Sequence, residues 1–463
     1  MKNKRTEGAM ALSEKIGFGV GPIGKNMASS LVYGSFLSLY FMQVLGISPA
    51  YLSVMFLLCR VWDGLNDLFM GAIIDAVHSR FGKFKPWIVA GALTNAACTV
   101  LIYFDPGFRG VGIYIWATAL YVLCDMTYTM IDVAYWALVP AMTFDRGERD
   151  QLAVIPRITG AVGGIVSSFT LNIVDKLGGR GSNAGFVKYA LIAGVVYITT
   201  SVLCAAKVKE RAVSVKVSGE RFSLKKAAKV LFGNDQALTV VVIMTLFNTA
   251  NCITTGVMMY YFMYVLGKDS LYGIIGIVTG AIQGVGTLGF PLLAKRINRN
   301  KAYLIAYLLP MAGYALMAAV GSVSNVNVVL FIFSCVPPFL GYGAMSVMQT
   351  VMLADAVDYG EWKTGERNEG TIFSMLTFLS KIANGLSQTI IFGVFALVKF
   401  DAESDVLPTA QALTSFKLLL FAAPVVFLVL AFVIHKTKFR LKPELTGKIS
   451  AELSERRAAT QEV

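Results

Sequence analysis

The chain has 463 residues, of which 56% are hydrophobic and 15% are charged. A soluble domain contains about 25% charged residues, so this composition excludes the soluble classes and indicates a polytopic membrane protein. The formal net charge of +13 does not indicate a nucleic-acid partner, because the basic residues lie in short segments between apolar runs rather than in one patch.

Apolar runs predict an all-α membrane protein with twelve transmembrane helices. The runs lie near residues 16–45, 50–76, 86–104, 111–140, 152–174, 186–206, 236–266, 271–293, 302–320, 327–354, 370–398 and 413–435. An even number of spans places both termini on one side of the membrane. Most of the 41 Lys and Arg residues lie at the termini and in the loops on that side, so the positive-inside rule predicts cytoplasmic termini.

The longest polar stretch between spans divides the chain into two sets of six. We predict a first six-helix bundle over 1–206, a cytoplasmic middle loop over 207–235, a second six-helix bundle over 236–435 and a cytoplasmic tail over 436–463. The loops after spans four and ten both contain Gly-Glu-Arg. Paired halves with a shared loop motif are typical of transporters with the major facilitator fold, so we expect two pseudo-symmetric bundles that rock about a mid-membrane site.

Two carboxylates lie four residues apart in the second predicted span. Asp63 and Asp67 belong to the stretch 51–77, which is otherwise apolar. Side chains at i and i+4 share a helix face, so both acids are expected together near mid-membrane. A charged Asp there costs about 2.5–3.5 kcal/mol, and two like charges cost more unless a cation or a proton neutralises one. The pair therefore predicts a cation site.

The fourth predicted span adds further oxygen ligands on one face. Asp125, Thr129 and Asp132 recur at spacings of four and three residues. Spans two and four run in the same direction, so Thr129 and Asp132 are expected at the depth of the span-two pair. Carboxylate and hydroxyl oxygens suit Na⁺ or Li⁺, and a carboxylate cluster also accepts H⁺. The alternative is that the acids form structural ion pairs with Arg60, Lys25 or Arg157.

A second face of the same span carries aromatic side chains. Tyr128, Asp132 and Trp136 recur every four residues, so Asp132 belongs to both faces. Sugars stack on aromatic rings while charged groups bind their hydroxyls. Lys25 on span one and Arg157 on span five are the cations expected to complete such a pocket, although a Trp in a membrane helix also commonly packs or faces lipid.

Span eleven contains one internal cation, Lys381, with Asn384 and Gln388 on the same face. A Lys at mid-membrane with amides beside it indicates a substrate contact or a gate between the halves.

Three segments closely resemble the glycoside–pentoside–hexuronide:cation symporters, the melibiose permease-like family. They are RVWDGLNDLFMGAIIDAVHSRFGKFKPWIVAG (60–91), MTYTMIDVAYWALVPAMTFDRGERDQLAVIPR (126–157) and ADAVDYGEWKTGERNEG (354–370). The resemblance implies a major facilitator fold and sugar uptake driven by Na⁺, Li⁺ or H⁺. It implies a cation site at Asp63, Asp67, Thr129 and Asp132, and a sugar site at Lys25, Asn26, Tyr128, Asp132, Trp136, Arg157 and Lys381.

Two positions depart from the galactoside-transporting members of that family. Asn26 stands where those relatives have an acidic sugar-binding residue, and Ser346 appears in place of a pocket aromatic ring. The loss of a carboxylate and a ring argues against galactoside specificity. A less negative pocket would tolerate an anionic sugar such as a glucuronide, which is our hypothesis for the substrate.

The expected function is therefore symport of a monovalent cation with a glycoside, pentoside or hexuronide. We expect a monomer in the bacterial inner membrane that is not an enzyme and needs no cofactor beyond the coupling ion. The alternatives are a cation-coupled transporter of an amphipathic solute, and a sugar sensor that has lost transport. Polar residues along the cavity, including Asn248 and Asn251, argue against the first; the short tail argues against the second.

Overall fold

A computed structural model describes residues 10–76, 79–143, 145–211, 224–323, 325–366, 369–400, 402 and 408–461. Within these ranges the chain forms helices and no strands, and it divides into two compact units. Residues 212–223 of the predicted middle loop lie outside the described residues.

The first unit contains eight α-helices together with the short segment Asp269–Ile274. The helices are α1 (Leu12–Tyr33), α2 (Ser35–Gln43), α3 (Pro49–Ala76), α4 (Lys85–Ile102), α5 (Val111–Met142), α6 (Arg146–Ser168), α7 (Thr170–Leu177) and α8 (Asn183–Lys207).

The second unit contains the remaining described α-helices, apart from the first three residues of α11, which belong to the first unit. They are α9 (Leu224–Gly233), α10 (Asp235–Tyr260), α11 (Tyr272–Ile297), α12 (Arg299–Gly321), α13 (Val328–Ser334), α14 (Val336–Thr364), α15 (Glu369–Leu397), α16 (Ala410–Lys417), α17 (Ala423–Lys438) and α18 (Pro443–Gln461). One π-helical turn follows α10 at Tyr261–Val265, and another joins α16 to α17 at Leu418–Ala422.

Each of the twelve predicted spans coincides with one helix or with two consecutive helices, which confirms the predicted fold class. By length and hydropathy alone, eight helical segments of the described chain can cross a membrane, and a ninth arises if α6 and α7 count as one span. The second predicted span, α3, is not among them, and it carries Arg60, Asp63, Asp67 and Asp75. Charged residues lower the hydropathy of a span, so this measure underestimates a helix that carries a buried site.

Three spans are interrupted where the local chemistry disfavours a continuous helix. α1 and α2 are separated by Gly34, whose backbone is extended with ψ of 176°. α6 and α7 meet at Phe169 with a bend of 50°. α14 begins after Cys335 with prolines in its first turn, where the missing N–H groups are tolerated.

Helix α1 packs closely against α6 and α8 because glycines line both contacts. A Cβ atom on Gly24 would lie 2.4 Å from the Cα atom of Tyr197 on α8. A Cβ atom on Gly163 of α6 would lie 2.2 Å from the carbonyl oxygen of Ile23 on α1. Small residues let helix backbones approach in this way. The two contacts hold the part of α1 that carries Lys25 and Asn26.

The first described residues of the middle loop are attached to the first unit. The Glu210 carboxylate accepts hydrogen bonds from the backbone N–H groups of Lys83, Phe84 and Lys85 at 2.7, 3.0 and 3.1 Å. These donors lie at the N-terminus of α4, where N–H groups have no partner within the helix. The neighbouring Arg211 forms an ion pair with Glu14 of α1 at 2.8 Å.

Candidate cation and sugar site

The centre of the candidate sugar site is an ion pair between α1 and α5. The Nζ atom of Lys25 donates to Oδ1 of Asp132. It also lies 5.7, 5.2 and 5.8 Å from the ring centroids of Tyr128, Tyr135 and Trp136. An ammonium group this close to ring faces is stabilised by cation–π attraction. Lys25 is buried, whereas 34% of the Asp132 side chain is exposed, so the carboxylate retains a face that a ligand can approach.

Two predicted members of the pocket lie on either side of the close contact between α1 and α6. Asn26 donates from Nδ2 to the carbonyl oxygen of Gly160 at 2.9 Å, so its amide group helps to join the two helices. Arg157 lies on α6, three residues before Gly160, and its side chain is exposed. Trp136 is 42% exposed, which leaves part of its ring available for stacking.

A hydrogen bond joins two predicted cation ligands, one on α3 and one on α5. Thr129 donates from Oγ1 to Oδ1 of Asp67 at 3.3 Å, and Thr129 is buried. Asp63, also buried, lies four residues before Asp67 on the same helix. The structure thus brings together Asp67 and Thr129 as predicted. Asp132 lies three residues after Thr129 and is paired with Lys25.

A buried arginine adjoins this group. The NH1 atom of Arg60 lies 3.0 Å from Oδ2 of Asp63 and 3.9 Å from Oδ1 of Asp125. The guanidinium carbon lies 4.6 Å from the ring centroid of Tyr33, and the Tyr33 hydroxyl donates to Oδ1 of Asp125 at 3.1 Å. Sequence reasoning did not assign a role to Tyr33. The signal was its position eight residues after Lys25, which places both residues on a similar face of α1.

Among the described residues, no group of three or more His, Cys, Asp or Glu side chains is placed so that it could hold a metal ion. Asp63 and Asp132 are each paired with a basic side chain, as the ion-pair alternative anticipated for these acids. The four-residue cation site stays a prediction.

Lys381 lies on α15 of the second unit and is partly buried. Polar contacts near it join α15 to α10. Asn248 donates to the Ser380 hydroxyl at 3.3 Å, and Asn384 donates to Sγ of Cys252 at 3.7 Å. These two contacts lie one residue before and three residues after Lys381 in α15, and the role of Lys381 as a substrate contact or gate stays a prediction.

Within the described residues, the twelve helical spans and the buried charged side chains of the first unit indicate a polytopic membrane transporter. Residues 17–441 match the family described as MFS/sugar transport protein, and the chain belongs to this family.

Two curated relatives and one solved structure are similar to this chain. A putative glycoside/cation symporter, YagG of Escherichia coli (strain K12), is 27% identical over 98% of this chain and 97% of its own length. A lactose permease of Lactobacillus delbrueckii subsp. bulgaricus is 26% identical over 85% of this chain, which spans 64% of that permease. The nucleoside transporter NupG superposes with a TM-score of 0.64 at 12% identity, covering 92% of this chain and all of NupG, and shows the fold alone.

Proposed function

We propose that this protein is a symporter that couples the inward flux of Na⁺, Li⁺ or H⁺ to the uptake of a glycoside, pentoside or hexuronide. The observation that carries the proposal is the Lys25–Asp132 ion pair, which lies against three aromatic rings and keeps one exposed carboxylate face. The names of the curated relatives, a lactose permease and a glycoside/cation symporter, support it.

The chemistry of the pair suits a sugar. A carboxylate accepts hydrogen bonds from hydroxyl groups, an ammonium group donates to hydroxyl and ring oxygens, and an exposed indole stacks on the apolar face of a pyranose. Asp132, Lys25 and Trp136 supply one of each. Lys381 in the second unit is the proposed contact or gate residue from that half of the chain.

Coupling follows from the position of Asp132 on α5. Thr129, which bonds to Asp67, and Asp132, which pairs with Lys25, lie three residues apart on one helix. A cation bound by Asp63, Asp67 and Thr129 would neutralise the carboxylates and favour the orientation of Asp132 that binds sugar. Because binding free energies are linked, the sugar must raise the cation affinity by the same factor.

Asn26 bears on which sugar is bound. Its amide donates to the carbonyl oxygen of Gly160 and adds no negative charge. The Asp132 carboxylate is paired with Lys25, and Arg157 on α6 supplies a further, exposed positive charge. This charge balance favours tolerance of an anionic sugar over strict galactoside specificity.

We also propose a monomer in the bacterial inner membrane. Both termini are placed in the cytoplasm, because the basic residues are concentrated at the termini and in the loops on the same side. Protease cleavage of a C-terminal tag in inverted vesicles but not in right-side-out vesicles is the expected result. The opposite pattern contradicts this orientation.

The function is tested with purified protein in proteoliposomes. We expect uptake of at least one of lactose, methyl-β-xyloside or methyl-β-glucuronide to be stimulated by an inward Na⁺, Li⁺ or H⁺ gradient. Asp132→Asn should abolish this uptake, while Asp105→Asn, a change in a loop ion pair with Arg109, should leave it unchanged. Uptake whose rate does not change with any of the three cation gradients contradicts symport. Inhibition of uptake by neutral glycosides but not by uronides contradicts the proposed tolerance of an anionic sugar.

A further inference from the structure

Arg60 is shared between two acids on different helices. It lies 3.0 Å from Asp63 on its own helix, α3, and 3.9 Å from Asp125 on α5. All three side chains are buried. Asp63 belongs to the proposed cation site, whereas Asp125 has no assigned role there.

Several charged side chains lie together in this region of the first unit. Asp63, Asp67, Asp125 and Asp132 supply four carboxylates, and Lys25 and Arg60 supply two permanent cations. Lys25 is paired with Asp132, whereas Arg60 lies near both Asp63 and Asp125. A guanidinium group that moves toward Asp125 leaves Asp63 less neutralised, so the position of Arg60 between the two acids affects how negative the cation site is.

Tyr33 contacts both Arg60 and Asp125. Its ring lies under Arg60, with 4.6 Å between the guanidinium carbon and the ring centroid. Its hydroxyl holds Asp125 through a 3.1 Å hydrogen bond. Arg60 thus lies within 4.0 Å of both acids and over the ring of the residue whose hydroxyl holds Asp125.

We propose that Asp125 is a positioning residue that draws Arg60 away from Asp63 when the coupling cation binds, and so sets the affinity for that cation. This inference rests on the proposed function. With the site empty, Arg60 neutralises Asp63; with Na⁺ at Asp63, Asp67 and Thr129, Arg60 pairs with Asp125. Without the Asp125 charge, Arg60 stays at Asp63 and competes with Na⁺.

The test uses NaCl alone as the probe. Purified full-length protein is titrated with NaCl against choline chloride at constant ionic strength, and the melting temperature is followed. Asp125→Asn should raise the half-saturating Na⁺ concentration about tenfold, with rescue by Asp125→Glu. Asp105→Asn, which removes a carboxylate paired with Arg109 in a loop, should not change it.

A double-substitution cycle separates an effect through Arg60 from a general loss of negative charge. In the Arg60→Gln background, Asp125→Asn should change the half-saturating Na⁺ concentration by less than twofold, because the arginine that competes with Na⁺ for Asp63 has already been removed. A tenfold rise in both backgrounds overturns the role assigned here. If Asp125→Asn fails to fold, Tyr33→Phe provides the second variant, since it removes only the hydroxyl that holds Asp125, and we expect a smaller rise in the same direction.

The two proposals fail in different ways. An Na⁺ response that Asp67→Asn abolishes but Asp125→Asn leaves unchanged overturns the role of Asp125 and leaves the cation site standing. The absence of any saturable Na⁺ response in the unsubstituted protein overturns the Na⁺ site, and the role of Asp125 with it.

Discussion

Lys25 and Asp132 are 107 residues apart in the chain, and their side chains form an ion pair between α1 and α5. The pair lies within a helical unit whose α1 backbone is held by glycine contacts on two sides. Its geometry therefore depends on the packing of α1 as much as on the two charged residues.

Replacement of the lysine should affect both stability and transport. Lys25→Met removes the cation beside Asp132, and we expect a loss of about 2 kcal/mol of stability, below the 3–5 kcal/mol typical of fully buried pairs because Asp132 is partly exposed. The melting temperature in detergent and sugar uptake are measured together. Lys15→Met, which removes a longer 3.5 Å contact between Glu148 and a lysine that is more exposed than Lys25, is the control and should cost less than 1 kcal/mol.

The Thr129 hydroxyl should matter for the cation and little for the fold. Thr129→Val removes the 3.3 Å hydrogen bond to Asp67 while keeping the side-chain volume, so we expect weaker Na⁺ binding with about 1 kcal/mol of stability lost. Thr127→Val is the matched control, because the Thr127 hydroxyl bonds to Leu123 and Asn95 instead. Equal Na⁺ affinities for the two variants would contradict a role for Thr129 in cation binding.

Close packing of α1 should be sensitive to a single methyl group. A Cβ atom at Gly24 would meet the Tyr197 backbone at 2.4 Å, so Gly24→Ala should destabilise the protein by about 1–3 kcal/mol. Gly164→Ala on α6 has no atom within 4 Å of the added Cβ and should be neutral or slightly stabilising. Thermal unfolding of the two variants compares the positions, and similar melting temperatures would argue against the tight α1–α8 contact.

One face of the C-terminal helix α18 should pack against α14 rather than face solvent. Ile449 and Leu453 are buried, and Trp362 of α14 donates to Glu452 at 2.6 Å. Leu453→Asp places a charge in that contact, so we expect faster trypsin cleavage within α18. Ser454→Asp, on the exposed side, should keep the cleavage rate of the unsubstituted protein. Equal rates for both variants would show that α18 does not depend on this contact.

Apolar runs separated by charged loops were sufficient to predict the twelve spans, although mean hydropathy alone leaves out α3, whose charged residues lower it. The interruptions within spans were harder to predict. Gly34, Phe169 and Cys335 each lie inside an apolar stretch, and a break there depends on packing and on nearby prolines more than on hydropathy.

Within the site, contacts along one helix could be predicted and contacts between helices only in part. The ion-pair alternative included Arg60 as a partner of the acids, and the shared depth of α3 and α5 placed Thr129 near Asp67. The hydrogen bond from Tyr33 to Asp125 could not be predicted, because it depends on how α1 and α5 are rotated and shifted against each other.

The Glu210 contact has a consequence for biosynthesis. The N-terminus of α4 receives its hydrogen-bond acceptor from a residue that follows it by 125 to 127 positions. The ribosome must therefore translate all of α5 to α8 before the first turn of α4 is completed. Formation of α4 and completion of the hydrogen bonds at its N-terminus are therefore separate events in time, and a nascent chain that stops before residue 210 lacks the acceptor at the start of the third span.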